Sequence, residues 1–226
     1  MKIIYLNLNY GRNDFDGIIE FVKNNLDFDV FCFQEAKNEI CLKLDSILEN
    51  YNKSFINKEI EGFGSFNLKT YINNKYQNFS FEVFEDNFEN TAPFILLKIV
   101  DENSNWNILN FHGAPQPGDK LDNEIRINAA KKIISIMSKT SGAKIIGGDF
   151  NLLPNTKSIE AFEQFGYKNL IKDFKIKTTR NENAWKLYDN KQLFADYIFV
   201  SKETDIKKFE VIENKISDHL PMMLEL

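Results

Sequence analysis

Apolar and polar positions alternate between two periods along this chain. Lys2 to Leu8 is a β-rich apolar run that closes in Asn7-Leu8-Asn9-Tyr10-Gly11, where the glycine is a turn signal. From Asp16 to Leu26 the apolar residues Ile18, Ile19, Phe21, Val22 and Leu26 fall at helical spacing. Asp29 to Glu35 alternates less and predicts a strand buried on both faces, ending in Gln34-Glu35. Asn38 to Leu48 puts Ile40, Leu44, Ile47 and Leu48 on one side of a second helix. The order so far is strand, helix, strand, helix.

The middle of the chain changes character. Strand-like segments at Phe63–Ile72, Phe79–Phe84, Phe94–Val100 and Asn105–Phe111 are separated by Asn- and Asp-rich turns, with Glu102-Asn103-Ser104-Asn105 as a hairpin loop. Leu121, Ile125, Ala129, Ile133 and Met137 then mark an amphipathic helix, followed by a short buried strand at Ala143–Gly148. A helix at Ser158–Phe165 and strands at Leu193–Val200, Ile206–Ile212 and Leu220–Leu226 complete the pattern. No repeat or linker interrupts it, so one domain is expected over 1–226. Strand–helix units flanking a run of consecutive strands predict an α/β fold with two packed sheets and helices outside them.

Composition narrows the class. With 43% hydrophobic and 27% charged residues, the chain can bury a core, which excludes global disorder. No apolar stretch approaches the roughly 18 residues of a membrane span. The N-terminus turns polar too early for a signal peptide, so a soluble, unprocessed protein is expected. Cys32 sits in an apolar run, and neither it nor Cys41 suggests a disulfide framework; a reducing cytoplasm fits. The formal charge of −5 disfavours a long duplex unless a local basic patch compensates. Asparagine is too common here, at 28 residues, for a lone one to be informative; the two histidines, His112 and His219, are the opposite case.

Polar signatures close several apolar strands: Asn7 with Asn9, Gln34-Glu35, Gly148-Asp149-Phe150-Asn151 and Ser217-Asp218-His219, with Asn110-Phe111-His112-Gly113 and Ala195-Asp196-Tyr197 beside them. Singly, each has a bland explanation; Asp149 and Asn151 could form an ordinary turn, and a lone histidine is more often a satisfied core residue. Together they gather carboxylates, carboxamides and both imidazoles at strand ends, where layered α/β folds carry their chemistry. Carboxylates and amides are hard oxygen ligands suited to Mg²⁺ or Mn²⁺, while no Cys/His cluster offers a tetrahedral zinc site. Histidine beside aspartate supplies acid–base groups near neutral pH. The inventory suits metal-assisted hydrolysis of a phosphate ester.

That ordered set, from Asn7 to His219, resembles the endonuclease/exonuclease/phosphatase (DNase I-like) superfamily. The resemblance implies a four-layer α/β sandwich of two mixed β-sheets packed face to face, with the site at one edge. It implies that Glu35, with Asn7, binds Mg²⁺ or Mn²⁺, and that Asp218 serves the metal or the imidazole. It implies that His219, oriented by Asp196, accepts a proton from the attacking water, that Asp149 positions that water, and that Asn151 holds a phosphate oxygen. His112 would contact the phosphate or assist the leaving group. A catalytically dead binding module would be expected to have lost Glu35, Asp149 or His219, and all three are present.

The subfamily is less determined. Abasic-site endonucleases carry Trp, Asp and Tyr where Leu6, Asn9 and His112 stand, and the inositol 5-phosphatases have a different segment around Asp196. A nuclease or other phosphodiesterase, with nucleic acid among its substrates, is the first expectation; a phosphomonoesterase or a sphingomyelinase-like enzyme is the alternative. Lys172, Lys175, Lys177 and Arg180 could form a phosphate-binding edge with Trp185 available to stack on a base, or a solvated strand face. Arg180 is the best candidate, since guanidinium grips phosphate bidentately.

Overall fold

Both faces of strand β1 (Lys2–Asn7) are buried, and its alternation shows how the layers stack. Ile3 and Tyr5 point toward a second sheet, whereas Ile4 and Leu6 pack against helices α1 (Phe15–Lys23) and α2 (Asn38–Ile47). The adjacent β2 (Val30–Ala36) repeats the pattern, with Val30 and Cys32 inward and Phe31 and Phe33 toward the helices. Residues buried on two sides read as continuous apolar runs, which is why both strands were legible. The computed structural model describes residues 1–60, 64–86, 88–101, 104–186 and 191–226.

The first sheet adds β3 (Tyr51–Ile60), β4 (Gly64–Asn73), β11 (Lys208–Val211) and β12 (Met222–Glu225), in the order β11-β12-β1-β2-β4-β3. The second contains β5 (Phe79–Phe84), β6 (Phe94–Asp101), β7 (Ser104–His112), β8 (Ala143–Asp149), β9 (Tyr167–Asn169) and β10 (Asp196–Ser201), in the order β5-β6-β7-β8-β10-β9. Both sheets are mixed. The pairs β1–β2 and β7–β8 are parallel, and each is joined by a helical crossover, α1 in the first case and α3 (Glu124–Met137) in the second. Helix α3, with α4 (Lys157–Phe165), supplies Ala129, Ile133, Met137, Ile159 and Phe162 to the core of the second sheet. This is the DNase I-like four-layer sandwich. No helix among the described residues is long and apolar enough to cross a membrane.

Two glycines set how closely the layers meet. A Cβ on Gly147 would fall 2.6 Å from the ring of Tyr5, so the opposite sheet closes onto bare backbone there. Gly148 has φ +133°, and a Cβ would lie 2.1 Å from the Phe111 carbonyl oxygen. A polar seam runs between the sheets at the same end. Gln34 donates from Nε2 to Asn110 Oδ1 at 2.6 Å, and Asn110 donates from Nδ2 to the Lys69 carbonyl at 2.9 Å and to Thr70 Oγ1 at 3.1 Å.

Several expectations need correction. Strand β3 has no counterpart in the sequence pattern, because Asn52, Lys53, Lys58 and their neighbours break the apolar periodicity; an edge strand tolerates such residues. The strand expected at Leu193 begins at Asp196, since the Leu193 carbonyl is taken by Thr179 N and Thr178 Oγ1. The final two strands are shorter than expected. Leu121 is not in α3: it precedes the cap Asn123, whose side chain accepts from Arg126 N at 2.9 Å, and is half exposed. Lys172 lies in the short helix α5 (Leu170–Asp173) and Lys175 has φ +54°, so the alternating strand face is not formed. Phe63 and the loop residues Glu102 and Asn103 lie outside the described residues.

Candidate active site

Strand register assembles most of the site before any side chain is considered. Across the second sheet, His112 pairs with Asp149 and Asp149 with Asp196, so three polar residues stand abreast on β7, β8 and β10. In the first sheet, Asn7 pairs with Gln34 at the ends of β1 and β2. Glu35 follows at a β-bulge, where the pairing of β2 with β4 shifts between Phe33 and Ala36 and Glu35 takes φ +50°. A bulge of this kind re-aims the side chain beyond the regular alternation. Asn7 closes the gap between sheets by donating from Nδ2 to Asp149 Oδ2 at 2.9 Å.

The third contribution comes from the loop before β12. Ser217 donates its hydroxyl to the Asn7 carbonyl at 2.7 Å, tying the C-terminal motif to β1. Backbone bonds from Leu220 N to Thr179 O and from Asn181 N to Asp218 O fix it on the other side. Non-glycine residues with left-handed φ concentrate in this region: Asn9, Tyr10, Glu35, Lys120 and Asn151 lie between +42° and +57°. Such conformations persist where surrounding structure over-determines them, and they cluster at functional sites.

His219 is buried and its Nδ1 lies 2.9 Å from Asp196 Oδ2. Its Nε2 stands 3.8 Å from Asp149 Oδ2 and 3.9 Å from Asp218 Oδ2. Burial opposes a charge on this ring, but the carboxylates of Asp196, Asp218 and Asp149 outweigh it and raise the pKa to about 9. Burial likewise disfavours ionised Asp149, yet His219, Lys120 and His112 hold its carboxyl below the ordinary range. For the metal-free protein, the His219 ring is therefore expected to titrate by NMR near pH 9. Asp196→Asn should move that midpoint down; an unmoved midpoint would mean that the carboxylate is not what holds the proton.

Two neighbouring groupings have ligand atoms within 4.8 Å of one another: Glu35, His112 and Asp149, and Asp149, Asp196 and His219. The first fits a divalent cation, combining two carboxylates with the His112 Nε2 that lies 3.4 Å from Glu35 Oε1. Asn7 can join it: its Oδ1 accepts from Asn9 N at 2.9 Å, which leaves one lone pair for a second partner. In the second grouping, Asp196 already serves His219. Asp218 belongs to neither; it receives Arg180 Nη2 at 3.0 Å and faces His219. Of the two roles open to Asp218, this geometry favours the one beside the imidazole.

The structure thus brings together Asn7, Glu35, His112, Asp149, Asn151, Asp196, Asp218 and His219, with Arg180 on the rim. Asn151 donates from its backbone to Asp149 Oδ1 at 2.8 Å and from Nδ2 to the Gly113 carbonyl at 3.1 Å. Beside Arg180 opens a cleft of about 690 Å³, lined among others by Lys177, Trp185, Lys191 and Lys215. Lys172 and Lys175 are not in its lining; Lys172 pairs with Glu163 on the surface. Two further buried residues, Thr179 and Lys120, belong to the site. Thr179 Oγ1 accepts from Ala195 N at 3.1 Å and Asp196 N at 3.2 Å, fixing the start of β10. Lys120, in Gly-Asp-Lys-Leu-Asp, has the sequence of a solvated loop and nothing local marks it as buried.

Residues 4–219 match the Endonuclease/Exonuclease/phosphatase family. No curated protein matches the sequence. Among solved structures, a mannosyl-6-phosphatase from Bacteroides thetaiotaomicron is similar at TM-score 0.73 and 18% identity, covering 100% of this chain and 98% of that one. TDP2 of D. rerio, in complex with a single-stranded DNA product, gives TM-score 0.73 and 14% identity over 99% and 97%. A family protein from Leptotrichia buccalis gives 0.73 and 19% over 100% and 98%.

Proposed function

The chain belongs to the endonuclease/exonuclease/phosphatase family, whose members are divalent-metal-dependent phosphoester hydrolases, and on that premise we propose that it is a Mg²⁺- or Mn²⁺-dependent phosphodiesterase that cleaves nucleic acid. The observation that carries the hydrolytic part is the Asp196–His219–Asp149 alignment beside the Glu35–His112–Asp149 grouping.

Glu35 and Asp149, with Asn7 and His112, would hold the cation. Bound there, it would neutralise phosphate charge, polarise the phosphorus and draw the neighbouring imidazole pKa downward. Asp196 keeps Nδ1 of His219 protonated and aims Nε2 at the space before Asp149. A water held between Nε2 and the Asp149 carboxylate gives its proton to Nε2 as its oxygen attacks phosphorus. The ester P–O bond opposite breaks, and the departing oxygen takes a proton from solvent. Placement in line contributes as much as the acid–base step. His219 must be neutral to act, so the rate rises with pH as the ring loses its proton.

The nucleic-acid part rests on the cleft at Arg180. Three lysines and an arginine outnumber Glu182 and Glu213 there, against the acidic average, and Trp185 offers an aromatic surface to a base. The buried free thiols Cys32 and Cys41 support a reducing, cytoplasmic setting. The test is a substrate panel: a short single-stranded oligonucleotide, a chromogenic phosphodiester and a phosphomonoester, each with Mg²⁺, Mn²⁺ or EDTA. Diester cleavage abolished by EDTA is expected, with the oligonucleotide preferred. Cleavage of the monoester alone would replace the diesterase reading by a phosphomonoesterase, the activity named for the Bacteroides neighbour. No hydrolysis of any member would overturn both.

A further inference from the structure

Lys120 is 6% exposed, and a buried ammonium normally stands against a carboxylate. Here it does not: among the described residues Lys120 forms no ion pair, and its side chain's one hydrogen bond goes from Nζ to the neutral amide oxygen of Asn151. Two of its three N–H groups are left for another acceptor. Asn151 in turn donates from Nδ2 to Asp149 Oδ2 at 3.3 Å, so the buried ammonium lies one side chain away from that carboxylate, inside the site rather than on the outer face of the loop.

The loop is built to hold it there. Lys120 has φ +57°, and its carbonyl accepts from Leu153 N at 2.8 Å. Arg126, itself buried, donates to the carbonyls of Ala114, Pro117 and Leu121 and to Asp119 Oδ1, spanning the segment on both sides of Lys120. A strained backbone pinned by a buried guanidinium is a costly way to present a lysine to solvent, but an effective way to preorganise a charge.

Asn151, by contrast, has little left to offer a phosphate. Its Nδ2 hydrogens face the Gly113 carbonyl and Asp149 Oδ2, and its Oδ1 is an acceptor already bonded to Lys120. An amide oxygen cannot grip a phosphate oxygen. We propose that Lys120 Nζ is the donor to a non-bridging oxygen of the substrate phosphate, with Asn151 acting as the positioning residue that aims it. This assignment rests on the hydrolase reading and changes which residue holds the anion.

The test compares wild-type, Lys120→Met and Lys120→Arg proteins loaded with Mg²⁺. Inorganic phosphate binding is followed by calorimetry, and kcat/KM is measured on the chromogenic diester. Lys120→Met should weaken phosphate binding and lower kcat/KM, each by roughly 10- to 100-fold, with Lys120→Arg recovering part of the affinity. A purely structural lysine would lower the unfolding temperature and leave phosphate affinity within twofold, which would overturn the assignment. Should the Met variant not fold, the wild-type protein decides: the Lys120 ¹⁵Nζ resonance should shift when phosphate is added, and an unshifted resonance in a phosphate-saturated sample would overturn it. A wild-type protein that binds phosphate through Lys120 yet hydrolyses nothing would defeat the hydrolase reading alone.

Discussion

Replacing His219 with alanine is expected to lower kcat on the chromogenic diester by roughly 10²–10⁴-fold, the range contributed by a positioned general base. The fold should survive, because the Ser217 hydroxyl and the backbone bonds at Leu220 and Asn181 hold the loop independently of the ring. Stability near pH 7 should nevertheless fall, since the substitution leaves the buried Asp196 carboxylate without the partner that its attraction holds charged. Asp196→Asn should cost less, because it leaves Nε2 in place while weakening the hold on Nδ1. The pH profile separates the two: the limb that rises with pH should vanish in His219→Ala and persist, at lower pH, in Asp196→Asn. A His219→Ala enzyme within tenfold of wild type would sink the proton-acceptor role.

Removal of the cation should be at least as damaging. The Glu35, His112 and Asp149 ligand atoms converge within 4.8 Å, so a charge of +2 placed among them faces two carboxylates and a phosphate. EDTA is expected to abolish hydrolysis, with recovery on adding Mg²⁺ or Mn²⁺ in excess. Glu35→Gln keeps the shape of the side chain and removes its charge. It should raise the metal concentration needed for half-maximal activity by roughly 10- to 100-fold, with partial recovery at high metal. Titration of Mn²⁺ by electron paramagnetic resonance checks the affinity directly. An Mn²⁺ affinity equal to wild type in Glu35→Gln would place the cation elsewhere.

Much of the fold was readable from local pattern. The runs at β1 and β2 are buried on both sides and so appear as nearly unbroken apolar stretches ending in polar groups, while β7 and β8 end in the same way after shorter apolar runs. What failed was where local pattern and tertiary position disagree. Strand β3 is polar because it lies at a sheet edge, and α5 is too short to show a period. The site residues were recognisable as types, and the family resemblance implied roles for them, but it left Asp218 between two. Asp218 could have faced metal or imidazole by its position in Ser-Asp-His; its pairing with Arg180, a residue 38 positions away, is a product of the Thr179–Leu220 backbone contact.

The amino-acid sequence alone determined the alternation of strands and helices, the polar termini of the apolar strands and hence the chemical inventory, because hydrophobic periodicity and residue chemistry are properties of short segments. Tertiary structure decided where that inventory points. The bulge that turns Glu35, the abreast register of His112, Asp149 and Asp196, and the burial of Lys120 all depend on contacts between residues distant in the chain. Left-handed backbone at Glu35, Lys120 and Asn151 is disfavoured locally and is held only by the packing of two sheets and the Arg126-braced loop. No window of neighbouring residues carries that information.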